Sequence, residues 1–468
     1  MAKSSTVYIC QNCGERFLKW MGQCSNCGQW NTLVESVDET TKKTKKGQLK
    51  SIDKKNLISY SDINFSEISK RRYSTGMGEF DRVLGQDQGG AGIVPGAVML
   101  IGGEPGIGKS TLLTQLVVRW LLHPPELDPV THLTPKLLYI AGEESPHQIS
   151  LRINRIIKKE QHMLAGNEVA SRLIFVTSTD VDEVVTAINQ EKPQLVIVDS
   201  IHTLTTSDLL GASGSVGQLR ESTERIANTA KQIGCPVFLV GHVTKEGTIA
   251  GPKVLEHIVD TVLELSGERT GQLRILRAIK NRFGATDEVG LFQMKEEGFV
   301  EVTNPSELFL VEHVKAAPGS ATVCIMEGTR PLLIEVQALV VDSQLAMPRR
   351  VGRGIQLPRL QVLAAVLQKH ARLPLGSCDV FVNLAGGFTI TEPGIDLGIC
   401  VAIASSLKNK PLPGKTVFLG EVGLLGEIRS VNFEEQRSRE AKRLGYTQVI
   451  SRQSYPHLSK LFADLGLS

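Results

Sequence analysis

Eight consecutive residues, Gly103-Glu104-Pro105-Gly106-Ile107-Gly108-Lys109-Ser110, have the types and order needed to enclose a row of phosphates. Glycines let successive backbone N–H groups turn toward one anion, and a helix that begins where the loop ends adds its positive dipole end. The flanks fit that reading. The apolar run Val98-Met99-Leu100-Ile101 precedes the loop as a strand should, and Thr111-Leu112-Leu113-Thr114-Gln115-Leu116 follows it with a helical pattern. In this setting Lys109 is expected to reach the β- and γ-phosphates and Ser110 to hold Mg²⁺, with Thr111 beside them in the nucleotide site. A glycine-rich turn that fits the pattern by chance would not need both flanks. The chain is therefore expected to bind a nucleoside triphosphate, taken as ATP.

Hydrolysis also needs carboxylates, and two further apolar runs end in them. Leu195-Val196-Ile197-Val198-Asp199 reads as a buried strand whose Asp199 lies beside the phosphate loop and shares the Mg²⁺ shell. Leu137-Leu138-Tyr139-Ile140-Ala141-Gly142 ends in Glu143-Glu144, at the tip of what is expected to be the neighbouring strand. Glu143 is the expected base for the attacking water, with Glu144 as second candidate. The competing reading is an acidic pair that opens a helix before Ser145-Pro146. A third run, Pro236 to Gly241, leads into His242 and Thr244, either sensors of the γ-phosphate or ordinary strand-end polar groups.

Cys10-x2-Cys13 and Cys24-x2-Cys27 are separated by ten residues. Two such pairs let four thiolates converge on one tetrahedral Zn²⁺, with Gly14 and Gly28 allowing the tight turn after each pair. Disulfides do not suit a cytosolic ATPase, and a redox pair would not come doubled. So short a segment has no core, so the metal must supply its folding energy. Trp20 and Trp30 are expected to pack over the knot. The other cysteines, Cys235, Cys324, Cys378 and Cys400, sit among apolar neighbours and read as small buried hydrophobes.

The elements that must position these groups follow from the wider pattern. A length of 468 residues, 41% hydrophobic and 22% charged, describes an ordinary globular chain of several domains. No apolar run approaches a membrane span and Met1 to Ser5 lacks a signal-peptide core, so a cytoplasmic location is expected and no membrane partner. The net charge of +3 neither favours nor excludes nucleic acid. Residues 36–72 are rich in lysine, including Lys42, Lys43, Lys45, Lys46, Lys50, Lys54 and Lys55. They read as a basic linker, either a phosphate attractor or a plain tether. Between 73 and 303, strand-like runs at 98–101, 137–141, 173–176, 195–199, 237–241, 261–265 and 273–279 alternate with helical patterns. That alternation implies an α/β fold with a mainly parallel sheet covered by helices. The polar stretches 203–218 and 245–253 are long enough to be functional loops. Residues 304–468 form a second α/β unit, with strands at 321–325 and 332–341 and helices at 360–370 and 394–407. Lys280 and Arg282 end a strand near the far edge of the first sheet. They are either a surface basic turn or groups that reach a neighbouring subunit's γ-phosphate, as arginine fingers do.

The phosphate loop, Glu143-Glu144 and Asp199 together resemble the RecA-like P-loop ATPases. The four-cysteine zinc finger, Gly241-His242-Val243-Thr244-Lys245-Glu246-Gly247 and Lys280-Asn281-Arg282-Phe283-Gly284 resemble the RadA (Sms) family of bacterial DNA-repair proteins. The resemblance runs nearly end to end, and the KNRFG match favours the trans-acting role for Lys280 and Arg282. It implies a homo-hexameric ring on single-stranded and branched DNA and nucleoid association. It further implies partnership with the RecA recombinase and ATP-driven branch migration of recombination intermediates. It also implies a Lon-protease-like C-terminal domain. The position matching the Lon serine nucleophile holds Asp396, and Asn432 to Gln436 contains no lysine to activate it, so proteolysis is not expected. Arg349, Arg350, Arg353 and Arg359 are expected to cluster and grip phosphates there, unless they form a solvated loop. A switch acting on protein partners and an ATP-dependent protease are the rival functions.

Overall fold

The computed structural model describes residues 5–10, 12–30, 32–38, 72–87, 90–125, 133–159, 171–241, 252–267, 273–304, 306, 317–384 and 390–468. Residues 39–71 of the basic linker, with His242, Thr244 and Lys245, lie outside them. The chain forms two compact units, one running through Glu301 and the other beginning at Val302.

At the N-terminus β1 (Ser5–Cys10), β2 (Arg16–Phe17) and β3 (Leu33–Asp38) make an antiparallel sheet in the order β2-β1-β3. Its apolar centre is Cys10, Cys24 and Leu33, too little to hold a fold without a crosslink. The expectation that Trp20 and Trp30 cover the knot fails: they are 57% and 68% exposed. A knot tied by four sulfurs leaves no interior large enough for an indole.

Next come α1 (Gly78–Leu84), a hairpin of β4 (Gln86–Asp87) and β5 (Gly90–Ala91), then β6 (Val98–Gly102) and α2 (Lys109–Leu122). The pattern continues with β7 (Thr134–Ala141), α3 (Pro146–Lys159), β8 (Leu173–Val176), α4 (Val181–Glu191) and β9 (Pro193–Asp199). It closes with α5 (Val216–Ile233), β10 (Val237–Val240), β11 (Thr261–Ser266), β12 (Leu273–Asn281), β13 (Val289–Lys295) and β14 (Gly298–Glu301). The strands β6 to β14 form one nine-stranded sheet in the order β14-β13-β12-β11-β6-β10-β9-β7-β8. From β11 to β8 the pairing is parallel, and β12, β13 and β14 add an antiparallel edge. β6 and β9 are buried along their whole length, which is why they read as unbroken apolar runs. One face of the sheet packs Leu112, Leu116 and Phe238, and the other packs Ile226, Ala230 and Val198. Local signals agree: Asp180 caps α4 by accepting from the Asp182 N–H at 2.9 Å.

The second unit contains β15 (Ser320–Glu327), β16 (Arg330–Asp342), β17 (Arg350–Arg353), α6 (Leu357–His370), β18 (Cys378–Leu384) and α7 (Asp396–Leu407). They are followed by β19 (Thr416–Phe418), a hairpin of β20 (Glu421–Val422) and β21 (Ile428–Arg429), α8 (Glu434–Arg443), β22 (Gln448–Ile450) and α9 (Leu458–Leu465). The six-stranded sheet runs β17-β18-β16-β15-β19-β22. α7 is buried from Asp396 to Ser405. It approaches β15 so closely that a methyl group on Gly398 would fall 2.0 Å from a Val323 methyl.

Asp396, at 0% exposure, is held by Arg359 through both carboxylate oxygens (2.5 Å from Nε to one of them) and by the Val422 N–H at 3.1 Å. Removing one member of such a pair strands the other without its counter-charge, whereas replacing both by apolar groups does not. Asp396→Ala should lower the stability of the second unit by about 3 kcal/mol. Asp396→Leu combined with Arg359→Met should lose much less. The urea midpoints of the three proteins check this.

Candidate nucleotide site and metal knot

The phosphate loop links the end of β6 to the start of α2. Gly108 has φ +112°, and its carbonyl accepts from Leu112 N at 2.9 Å, the first turn of the helix. Lys109 is buried, and its Nζ donates to the carbonyls of Gly103 (2.9 Å) and Glu104 (3.1 Å). The ammonium thus spans the mouth of its own loop. Burial lowers the Lys109 pKa, and the nearby Asp199 and Glu143 oppose that shift. Ser110 lies on the Asp199 side of the loop, where its side chain helps lower the Asp199 carboxyl pKa. Glu104, Pro105 and Gly106 form the exposed crest, Ile107 turns inward, and Thr111 is half-buried in the first turn of α2.

Asp199 is the last residue of β9 and pairs across the ladder with Ala141 of β7. The Tyr139 hydroxyl donates to Asp199 Oδ2 at 2.9 Å. Burial raises the Asp199 carboxyl pKa, while the hydrogen bonds from Ser110 and Tyr139 pull it down. Burial also lifts the Tyr139 phenol well above its usual range, and the Asp199 charge adds to that. A buried carboxylate between two hydroxyls, beside a loop lysine, suits a hard cation that takes oxygen ligands.

The two glutamates diverge. Glu144 is tied to Arg152 of α3 through both oxygens at 2.6 and 2.7 Å. Glu143 turns to the other side, where the Ser200 hydroxyl donates to its Oε1 and its backbone N–H bonds the Asp199 carbonyl. The strand carrying Glu143 is not next to β6. Both β9 and β10 stand between them, so the end of β7 lies three strand spacings, about 14 Å, from the end of β6, and Asp199 on β9 is one strand nearer. Sequence reading missed Tyr139, Ser200 and Arg152. Tyr139 carried a signal, being the one polar-tipped side chain within a fully apolar run.

Lys280 and Arg282 stand elsewhere. Asn281 pairs with Thr261, which pairs with Met99, and Met99 lies 103 − 99 = 4 residues before the phosphate loop begins. At about 3.3 Å per residue, the KNRFG turn is displaced by about 13 Å along the strands, toward their N-terminal edge. The turn is firmly built. Asn281 donates to the Leu84 carbonyl (3.0 Å), Arg72 donates to the Phe283 carbonyl, and Gly284 comes close enough to Gly85 that a Cβ on either would crowd the other's backbone.

The four cysteines converge. Their sulfurs all lie within 4.8 Å of one another, with Cys10–Cys27 at 3.6 Å and Cys13–Cys24 at 3.5 Å. A tetrahedral ion with bonds of about 2.3 Å spaces sulfurs by about 3.8 Å, so the set fits Zn²⁺. The Gly14 and Gly28 N–H groups bond back to the carbonyls of Cys10 and Cys24, each at 2.8 Å, repeating one turn around both pairs. The other four cysteines are buried, as expected.

One expectation needs correction. The arginine cluster is not one phosphate grip: Arg350 donates to the carbonyls of Arg349, Cys378 and Leu375, and Arg359 is spent on Asp396. Only Arg349 and Arg353 are exposed, because a buried aspartate and open carbonyls at a strand edge claim the others. The 203–218 loop is anchored, with Gln218 bonding the backbone of Thr206 and Leu209, and Arg225 bridging Asp182 and Asp208. Its tip, from Leu210 to Gly214, is exposed.

A phosphate loop on a mainly parallel sheet, faced by strand-end carboxylates, defines an ATP-hydrolysing P-loop enzyme of the RecA-like α/β class, here with a zinc-binding ribbon. The family described as an AAA domain matches residues 89–248, and a rubredoxin metal binding domain matches residues 8–35. The DNA repair protein RadA of Pseudomonas aeruginosa is 44% identical over 450 residues, covering 96% of this chain and 93% of that protein. The RadA of Bacillus subtilis is 44% identical over 451 residues with the same coverage. Among solved structures, the RadB recombinase aligns with 49% of this chain at 22% identity and a TM-score of 0.38. The chain belongs to the RadA family of DNA repair proteins.

The divergence of the two glutamates yields a prediction. Glu143→Gln should keep nucleotide affinity and reduce turnover by on the order of a hundredfold or more, as loss of a general base does. Glu144→Gln should slow turnover only a few-fold, since it breaks a contact with Arg152 (roughly 1 kcal/mol). Single-turnover hydrolysis beside fluorescent-nucleotide binding separates the two. For the knot, a thiol-reactive mercurial should release one zinc per chain, read with a metallochromic dye, and Cys24→Ser should abolish the release.

Proposed function

We propose that this DNA-repair ATPase is a DNA-dependent motor. It works as a homo-hexameric ring around single-stranded and branched DNA and drives branch migration of recombination intermediates alongside the RecA recombinase at the nucleoid. The observation that carries the reading is the separation of its two sets of charged residues. Lys109, Asp199 and Glu143 gather at the C-terminal edge of the parallel strands, while Lys280 and Arg282 are held at the N-terminal edge of the same sheet. A basic pair so far from its own phosphates can act on ATP only in another subunit. Ring assembly supplies that neighbour, and hydrolysis then requires two chains in register.

In each site Ser110 and Asp199 would hold Mg²⁺, which neutralises charge on the β- and γ-phosphates when bound. Lys109 would bind the same phosphates, and Glu143 would orient the attacking water through a carboxylate steadied by Ser200. Lys280 and Arg282 of the next subunit would stabilise the charge that develops on transfer. The exposed tip of the 203–218 loop is suited to the ring's pore. The proposed layout is a zinc finger at 1–35, a basic linker at 36–72, the ATPase at 73–303 and a Lon-like scaffold without proteolytic function at 304–468. Asp396 supports the scaffold role, since a fully buried carboxylate tied to Arg359 is no nucleophile.

The deciding experiment is branch migration of a defined joint molecule by the wild-type protein beside Lys109→Ala. The motor reading expects ATP-dependent migration that Lys109→Ala loses, and hydrolysis stimulated by single-stranded DNA. Hydrolysis indifferent to DNA would favour a switch acting on protein partners, and ATP-dependent degradation of casein by the wild-type protein would favour a protease. Arg282→Ala should bind nucleotide normally yet hydrolyse it slower by on the order of a thousandfold; unchanged turnover would remove Arg282 from the active site.

A further inference from the structure

The KNRFG turn carries its two cations in different ways. Lys280 lies along the backbone, its Nζ donating to the carbonyls of Glu256 and Val259 (2.8 Å to the latter). Arg282 projects outward with its side chain 51% exposed, and it rests on a single buried carboxylate, that of Asp260, at 3.1 Å. An arginine at a surface ordinarily samples many rotamers, and holding one costs entropy unless something fixes it.

Asp260 is built to be that fixture. Its Oδ2 accepts from Val98 N at 3.1 Å, and its own N–H donates to the Val98 carbonyl at 2.8 Å, so the residue is clamped to the first residue of β6. Its backbone carbonyl accepts from Arg282 N at 3.1 Å, fixing where the arginine leaves the chain. Its remaining oxygen, Oδ1, faces both Arg282 and Lys231 of α5, the latter at 3.3 Å. The carboxylate therefore cannot swing, and it aims one guanidinium nitrogen while the rest of the group stays open. The strand to which it is clamped is the one that ends in this subunit's own phosphate loop.

We propose that Asp260 is the positioning residue for the trans-acting Arg282. It pre-sets the guanidinium for the neighbour's γ-phosphate and ties its position to β6. The inference rests on the trans reading of Arg282 given above. The Arg282 side chain is half in solvent, so the contact with Asp260 adds little to folding and its purpose is orientation.

Asp260→Asn keeps an acceptor for Val98 but can turn only its amide toward Arg282. It should lower kcat by about tenfold or more, with nucleotide affinity and the thermal midpoint close to wild type. Asp260→Asn added to Arg282→Ala should slow turnover no further. Mixing Asp260→Asn subunits with Lys109→Ala subunits, which have no turnover of their own but an intact Asp260 and Arg282, should raise hydrolysis above the sum of the two alone. Should Asp260→Asn fail to fold, Lys231→Glu, on an exposed helix position, places a competing carboxylate beside Arg282 and should lower kcat likewise. Wild-type kcat in Asp260→Asn, or in Lys231→Glu where the first does not fold, overturns the proposal, as does a further loss in the double variant. Normal turnover in Arg282→Ala itself overturns the trans reading instead.

Discussion

A parallel strand delivers its last residue to the same edge of the sheet as its parallel neighbours, and an antiparallel strand delivers its last residue to the opposite edge. That constraint organises the ATPase unit. β6, β9 and β7 run together, so the phosphate loop, Asp199 and the Glu143-Glu144 pair emerge on one side. β12 runs back, so Lys280 and Arg282 emerge on the other. No rearrangement of side chains could bring the two groups together within one subunit, because the ladder hydrogen bonds fix the register residue by residue.

Around the phosphate loop the chemistry is governed by burial. Lys109, Asp199 and Tyr139 are all removed from water, and each is supplied with partners that limit the cost. The lysine is satisfied by loop carbonyls. The aspartate accepts from the Tyr139 hydroxyl, with Ser110 beside it, a set that suits a hard cation. Glu143 and Glu144 show the same logic in reverse. Adjacent in sequence, they leave the end of β7 on opposite sides, and Arg152 neutralises the one that turns toward α3. The two carboxylates are separated by the partners the packing offers them, Ser200 for Glu143 and Arg152 for Glu144.

The second unit uses buried charge for cohesion. Asp396 with Arg359, and Glu392 with the fully buried Arg437, bind the start of α7 and the segment before it to α6 and α8. These pairs occupy ground where the resemblance to Lon proteases would place a nucleophile. They make that place a closed joint.

Much of this could be read directly from the order of residues. The glycine spacing around Lys109, the paired cysteines with their following glycines, and the apolar runs at 98–101 and 195–199 are local patterns whose physics acts over a few residues. Hence they survive in sequence form. β13 and β14 were not legible, because an antiparallel edge carries mixed polar and apolar residues and no chemistry-bearing motif. The exposure of Trp20 and Trp30 was misread, since whether an indole is covered depends on what else the fold brings to it. The arginines at 349–359 do not act as one cluster for the same reason: sequence proximity does not say which carbonyl or carboxylate claims each guanidinium. The sequence by itself determined that this chain holds a phosphate loop and a four-thiolate knot. Only the tertiary structure decided that Glu143 and not Glu144 turns toward Ser200, and that Arg282 stands at the far edge of its own sheet on Asp260. Those outcomes depend on strand order and register, which long-range pairing sets and no short pattern records.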